Sequence, residues 1–108
     1  MTRTDTILVE ATLAGDRSAY GDLYDRYARL IRAICYDMTR SLPDAQDLAQ
    51  DVFLRAYQNL AQLRNRDQFA AWLVGIARRC SQEWLRRCRT QPLGIHEPAV
   101  EPVPDSNG

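Results

Sequence analysis

The strongest constraint on this chain is a helical period that runs, with short interruptions, from Asp16 to Arg89. Within residues 44–63, Ala45, Leu48, Ala49, Val52, Phe53, Ala56, Tyr57, Leu60 and Leu63 recur at three- and four-residue intervals, which makes one side of a helix apolar. Asp44, Asp47, Gln50, Asp51, Leu54, Arg55 and Gln58 fall on the other side, a mostly acidic face with one leucine in it. Such a face is most often plain solvated surface. Upstream, Tyr20, Leu23, Tyr24, Tyr27, Leu30, Ile31, Ile34 and Met38 keep the same period for about five turns. Downstream, Phe69, Trp72, Leu73, Ile76, Cys80 and Trp84 repeat it. There is no strand alternation, internal repeat or Gly-rich phosphate loop, so the pattern predicts an all-α fold: a compact three- to four-helix domain with its long helices antiparallel.

Punctuation residues divide the pattern. Met1 to Thr4 read as a mobile leader, and Ile7, Leu8, Ala11 and Ala14 mark a short first helix with Asp5 near its start and Gly15 as its stop. Asp16 is placed to cap the long second helix. Ser41 is a cap for the third, with Pro43 in its first turn, where a missing amide hydrogen costs little. The break Leu63 to Gln68 precedes a fourth helix that starts near Asp67 and ends near Arg89. On the polar side of the second helix, Arg26, Arg29 and Arg32 alternate with Asp22 and Asp25, the pattern of a solvated, self-paired face. From Thr90 the chain holds four of the five prolines and no periodicity, so residues 5–89 read as the folded domain and 90–108 as a disordered tail or linker.

A chain of 108 residues allows one domain with one core. The formal charge is zero but unevenly spread: residues 1–63 carry seven arginines and nine acids, 64–89 seven arginines and two acids, and 90–108 three acids. The local balance of +5 over 64–89 is the footprint a polyphosphate selects. Every basic residue is arginine, which suits bidentate phosphate and base-edge contacts and equally fits a bias in genome composition.

No basic-then-apolar leader and no apolar run near the roughly 20 residues of a membrane span occur, so a cytoplasmic location is expected. Three cysteines without regular pairing suit reduced thiols. Cys80 and Cys88, eight residues apart on one helix, are separated by about 12 Å and can share neither a disulfide nor a metal ion. Cys35 and Cys80 suit core positions. His96 stands alone in the tail, and the acids of the third helix have no companion histidine, so neither a catalytic group nor a metal or cofactor site is expected.

The run from Asp44 to Tyr57, Asp-Ala-Gln-Asp-Leu-Ala-Gln-Asp-Val-Phe-Leu-Arg-Ala-Tyr, is followed by Phe69-x-x-Trp72-Leu73-x-x-Ile76-Ala77-Arg78 and by Leu85-Arg86-Arg87. Together these closely resemble region 2 of bacterial RNA polymerase sigma factors of the extracytoplasmic-function group, and the resemblance covers nearly all of Ile7 to Arg89. It implies an alternative sigma factor domain that binds core RNA polymerase and recognises and melts the promoter −10 element in transcription initiation, without catalysis of its own. The third helix would dock on the clamp helices of the β′ subunit through Asp47, Gln50, Asp51 and Leu54, with Arg55 beside them. Acceptor carboxylates would meet arginines there, and Leu54 would give an apolar anchor.

On the same resemblance Arg64, Asn65, Arg66 and Gln68 of the loop and Arg78, Arg79, Arg86 and Arg87 of the fourth helix would hold the melted non-template strand, the arginines on phosphates and the polar side chains on base edges. Relatives often carry Asn where this chain has Arg79, which leaves the preferred −10 sequence open. The apolar phase of Trp72 and Trp84 favours core packing over service as stacking platforms. In such proteins a linker leads to a second helical domain that reads the upstream promoter element, and that domain has no counterpart in these 108 residues. Two rivals remain. One is a protein-interaction module bound by an anti-sigma factor or signalling partner, with little DNA contact of its own. The other is a duplex-binding helix-turn-helix regulator, which these long helices fit poorly.

Overall fold

A computed structural model describes the backbone of residues 3–90 and the side chains of residues 3–88. It contains four helices, α1 (Asp5–Leu13), α2 (Arg17–Thr39), α3 (Leu42–Gln58) and α4 (Phe69–Thr90), with two 3-10 turns, Leu60–Gln62 and Arg66–Gln68, between α3 and α4. The all-α expectation therefore holds. The tail expected beyond the last helix, residues 91–108 with His96, lies outside the described residues.

Local chemistry sets each boundary. Thr4 caps α1 by accepting from the Ile7 amide at 3.2 Å. Gly15, at φ 108°, takes a conformation that a side chain would resist, and turns the chain into α2. Asp16 caps α2 through the amides of Ser18 and Ala19 at 3.0 and 3.3 Å. Its hydrogen bond from the Ser18 hydroxyl, with those amides, holds the carboxyl below the usual carboxylate range. Arg40 closes α2 in the left-handed region, and Ser41 caps α3, with proline in its first turn as expected.

The long helices run up, down and up. Tyr20, near the start of α2, meets Tyr57, near the end of α3, edge to face at 5.0 Å, and its hydroxyl donates to the Phe53 carbonyl at 2.5 Å. Along α4 the partners of α2 rise in order: Tyr27 meets Phe69 at 5.8 Å, and Cys35 faces Ser81. α3 is thus antiparallel to both neighbours. One core joins all four helices, with Leu8, Leu23, Ile31, Val52, Phe69 and Leu73 among its fully buried members. Cys35 and Cys80 lie inside it, as the sequence led us to expect, and Trp72 and Trp84 pack against it while half-buried.

Several expectations need correction. Tyr57 is 42% exposed, because its ring lies against Tyr20 at the rim instead of sinking between helices. Leu30 is 45% exposed, because α1 covers only the stretch of α2 up to Tyr27, where Asp5 is anchored. The third helix ends at Gln58, and the apolar positions Leu60 and Leu63 reach the core through a 3-10 turn. The fourth begins at Phe69, after a 3-10 turn over the predicted start. The leader is not free: Arg3 pairs with Asp22 at 3.3 Å, and its carbonyl accepts from Arg26 at 2.7 Å. Nor is the polar side of α2 self-paired, since Arg26 turns to Asp5 of α1 at 2.6 Å.

Candidate docking face and nucleic-acid interface

The wet face of α3 is built by register. Ala45, Leu48, Ala49, Val52, Phe53 and Ala56 point into the core, which forces the intervening residues outward. Four of them, Asp47, Gln50, Asp51 and Leu54, line one shallow open depression. Leu54 is 54% exposed, an apolar side chain that the fold leaves uncovered within a polar rim. Arg55 stands beside this group, its Nε 3.3 Å from Asp51 and its Nη1 3.3 Å from Glu83 of α4. The five residues singled out in the sequence are thus brought together, and Glu83, which sequence reasoning passed over, braces them from the next helix.

The arginine-rich loop is pegged at both ends by buried side chains, Leu63 before it and Phe69 after it. Between the pegs the backbone is fixed locally. Asn65 Oδ1 accepts from the Asp67 amide at 3.2 Å, and the Asn65 carbonyl accepts from the Gln68 amide at 2.9 Å. Arg64, Asn65 and Gln68 are left exposed, and Arg66 is half-buried.

On α4, Arg78, Arg79, Arg86 and Arg87 are all exposed, but they do not share one face. At about 100° per residue, Arg79 and Arg86 stand within about 20° of each other. Arg78 falls about 90° to one side, and Arg87 about 90° to the other. The Arg79 guanidinium extends back along the helix to Gly75, where a Cβ would lie 3.5 Å from its Nη1. Arg87 takes the phase of Ile76 and Cys80, one turn past Glu83, on the side that faces α3. The predicted arginine group therefore divides into an outer set, Arg78, Arg79 and Arg86, and an inner member near α3.

Sequence reasoning also missed α1. The Thr6 hydroxyl donates to the Asp67 carboxylate, and Arg66 Nη1 donates to Glu10 at 3.5 Å. No sequence signal marks these pairs, because their partners lie more than fifty residues apart.

Chemistry of other kinds finds little footing. Among the described residues no group of three or more His, Cys, Asp or Glu is placed to hold a metal ion. All three cysteines are free. Burial pushes the thiols of Cys35 and Cys80 upward, which lowers their thiolate fraction and their reactivity. Among the described residues no helix is long and apolar enough to cross a membrane.

Comparison with known proteins agrees with this geometry. Residues 23–91 match the family model for sigma-70 region 2. Among curated relatives, the chain is 40% identical over 80 residues to a probable RNA polymerase sigma factor, RfaY, of Xanthomonas campestris, covering 74% of this chain and 20% of that protein. It is 34% identical over 73 residues to the ECF RNA polymerase sigma factor SigW of Bacillus subtilis, covering 68% of this chain and 39% of the relative. With the ECF sigma factor SigM of Mycobacterium tuberculosis it shares 32% identity over 103 residues, 95% of this chain and 52% of the relative. The chain thus spans about half or less of the length of these relatives.

A solved structure, an engineered region 2 of sigmaE in complex with GTAAAA, superposes with a TM-score of 0.75 at 28% identity, covering 85% of this chain and all of that one. With the family model spanning more than half of its residues, this chain belongs to the sigma-70 region 2 family, in the extracytoplasmic-function branch.

Proposed function

We propose that this chain is the part of an alternative sigma factor that binds core RNA polymerase and captures the non-template strand of the promoter −10 element. The observation that carries the reading is the segregation of two surfaces on one small bundle. One is the acidic depression Asp47, Gln50, Asp51 and Leu54 on α3, and the other the arginine-bearing loop and outer face of α4.

The depression presents carboxylate acceptors around an exposed leucine, a surface suited to a basic helical partner such as the clamp helices of the β′ subunit. The loop presents Asn65 and Gln68 for base edges, and Arg64, Arg78, Arg79 and Arg86 for phosphates. A melted promoter exposes bases that have left the stack, and a protein that holds them offsets the few kcal/mol of unstacking. That the engineered sigmaE region 2 was solved with GTAAAA supports a single strand as the ligand here.

In this reading the domain performs no covalent chemistry and works in the cytoplasm beside the polymerase. Residues 5–89 are its folded unit, and 90–108 a linker. An anti-sigma factor would inhibit it by covering the same depression. The test has two arms. Core RNA polymerase should be retained by the immobilised chain. Fluorescence anisotropy should show tighter binding of a single-stranded hexamer selected from a randomised pool, with GTAAAA as a further probe, than of the matching duplex. A duplex preference would defeat strand capture, and failure to retain polymerase would defeat the docking assignment.

A further inference from the structure

The family match begins at Leu23, so α1 lies outside it. Yet α1 is tied to the turn that carries the candidate base-reading residues. Thr6 and Glu10 are one helical turn apart on the same side of α1, and they engage the adjacent residues Asp67 and Arg66. Two contacts at two points fix the rotation of the 3-10 turn as well as its position. α1 is itself firmly seated. Leu8 and Val9 are buried, and Asp5 is held by Arg26 at 2.6 Å and by the Tyr27 hydroxyl.

We propose that α1 is a specificity-determining element of strand recognition, in which Thr6 and Glu10 act as positioning residues for the reading loop. The inference rests on the strand-capture reading above. Thr6 holds Asp67, whose amide is bonded to Asn65 Oδ1, so the orientation of Asn65 is fixed from α1. Glu10 holds Arg66 and so keeps one guanidinium from serving as a sequence-indifferent phosphate clamp. Release of both ties lets Asn65 and Gln68 sample several orientations and frees one cation, and each change lowers discrimination between strands.

The test compares the full chain with its Thr6→Val/Glu10→Gln variant. The probes are a single-stranded DNA pool randomised at six positions and the individual strands that the wild type enriches from it. The variant should lose at least about threefold of its preference for enriched over random strands, as expected for two exposed polar ties. Its log–log salt slope should steepen by about 0.7, one added phosphate contact on a single strand. Its melting temperature should barely move, which separates positioning from general stability. Thr6→Ser, which keeps the hydroxyl, should keep the preference, and Arg66→Gln in the variant background should restore the slope. A variant whose preference and slope match the wild type would overturn the role of α1 and leave strand capture standing. A wild type that enriches no sequence would instead overturn strand capture, and this inference with it.

Discussion

Arg55 Nη1 of α3 lies 3.3 Å from Glu83 Oε1 of α4, and this pair props the guanidinium at the edge of the proposed docking depression. Both side chains are about two-fifths exposed, so the pair adds little to stability. Its effect is geometric, since Arg55 also reaches Asp51 and so sets the charge pattern that a partner would meet.

Asp51→Arg should abolish retention of core polymerase and change folding stability by no more than about 0.5 kcal/mol, as for other surface substitutions. Asp51 is partly exposed and its partner Arg55 keeps Glu83, so no buried charge is stranded. Pull-down and thermal melting read the two effects separately. Undiminished polymerase binding would remove α3 from the interface.

Gly75→Ala should stabilise the domain by about 0.5–1 kcal/mol, the usual gain of alanine over glycine within a helix. The added Cβ would stand 3.5 Å from Arg79 Nη1, an ordinary contact with the end of a flexible side chain. The melting temperature should rise by several degrees, on the order of 4–8 °C per kcal/mol for a domain of this size. A fall would mean that the helix is more crowded at Gly75 than the Arg79 contact implies.

Ser81 is fully buried on α4, and its Oγ makes no hydrogen bond of ordinary geometry. Its neighbour is the Cys35 thiol, a weak partner. Ser81→Ala should therefore stabilise by about 1 kcal/mol, through relief of an unsatisfied buried group and a better helix former. Urea denaturation should show a higher midpoint with an unchanged slope.

Tyr27 links stability to alkaline pH. Burial, and then its hydrogen bond to the Asp5 carboxylate, push its phenol up to about 12, against about 10 in the unfolded chain. The folded value is the higher one, so this contribution is fully present below about pH 10 and is lost as pH rises through about 12. Tyr27→Phe should cost about 1 kcal/mol at neutral pH and flatten the decline above pH 10. Tyr20, raised by burial, remains as a second late-ionising phenol, so the decline is reduced and not removed. Chemical denaturation of both proteins across that range checks the sign.

The helices were legible in the sequence because each rests on a local signal. Asp16 and Ser41 announce their caps, Gly15 its turn, and the three- and four-residue spacing of Leu48, Val52 and Phe53 its buried side. The docking residues were legible for the same reason, since a buried stripe on α3 dictates which residues face out. The division among the α4 arginines follows from phase alone, yet counting charges by segment concealed it. The ties from Thr6 and Glu10 to the reading loop could not be read at all. They depend on how α1 packs across α2, a tertiary relation with no periodic trace in the sequence.

The two-residue link between α2 and α3 has a kinetic meaning. Arg40 and Ser41 bring these helices together over a very short loop, so the pairings around Phe53 can form early at small entropic cost. Contact between Thr6 and Asp67 closes a separation of 61 residues and has to wait for that hairpin and for α4. The ties formed last rest on exposed side chains, so they should also be the first to open in the native state. Amide exchange at Asp67 and Gln68 would then run well ahead of exchange in the middle of α2, a breathing motion confined to the part of the molecule that meets the strand.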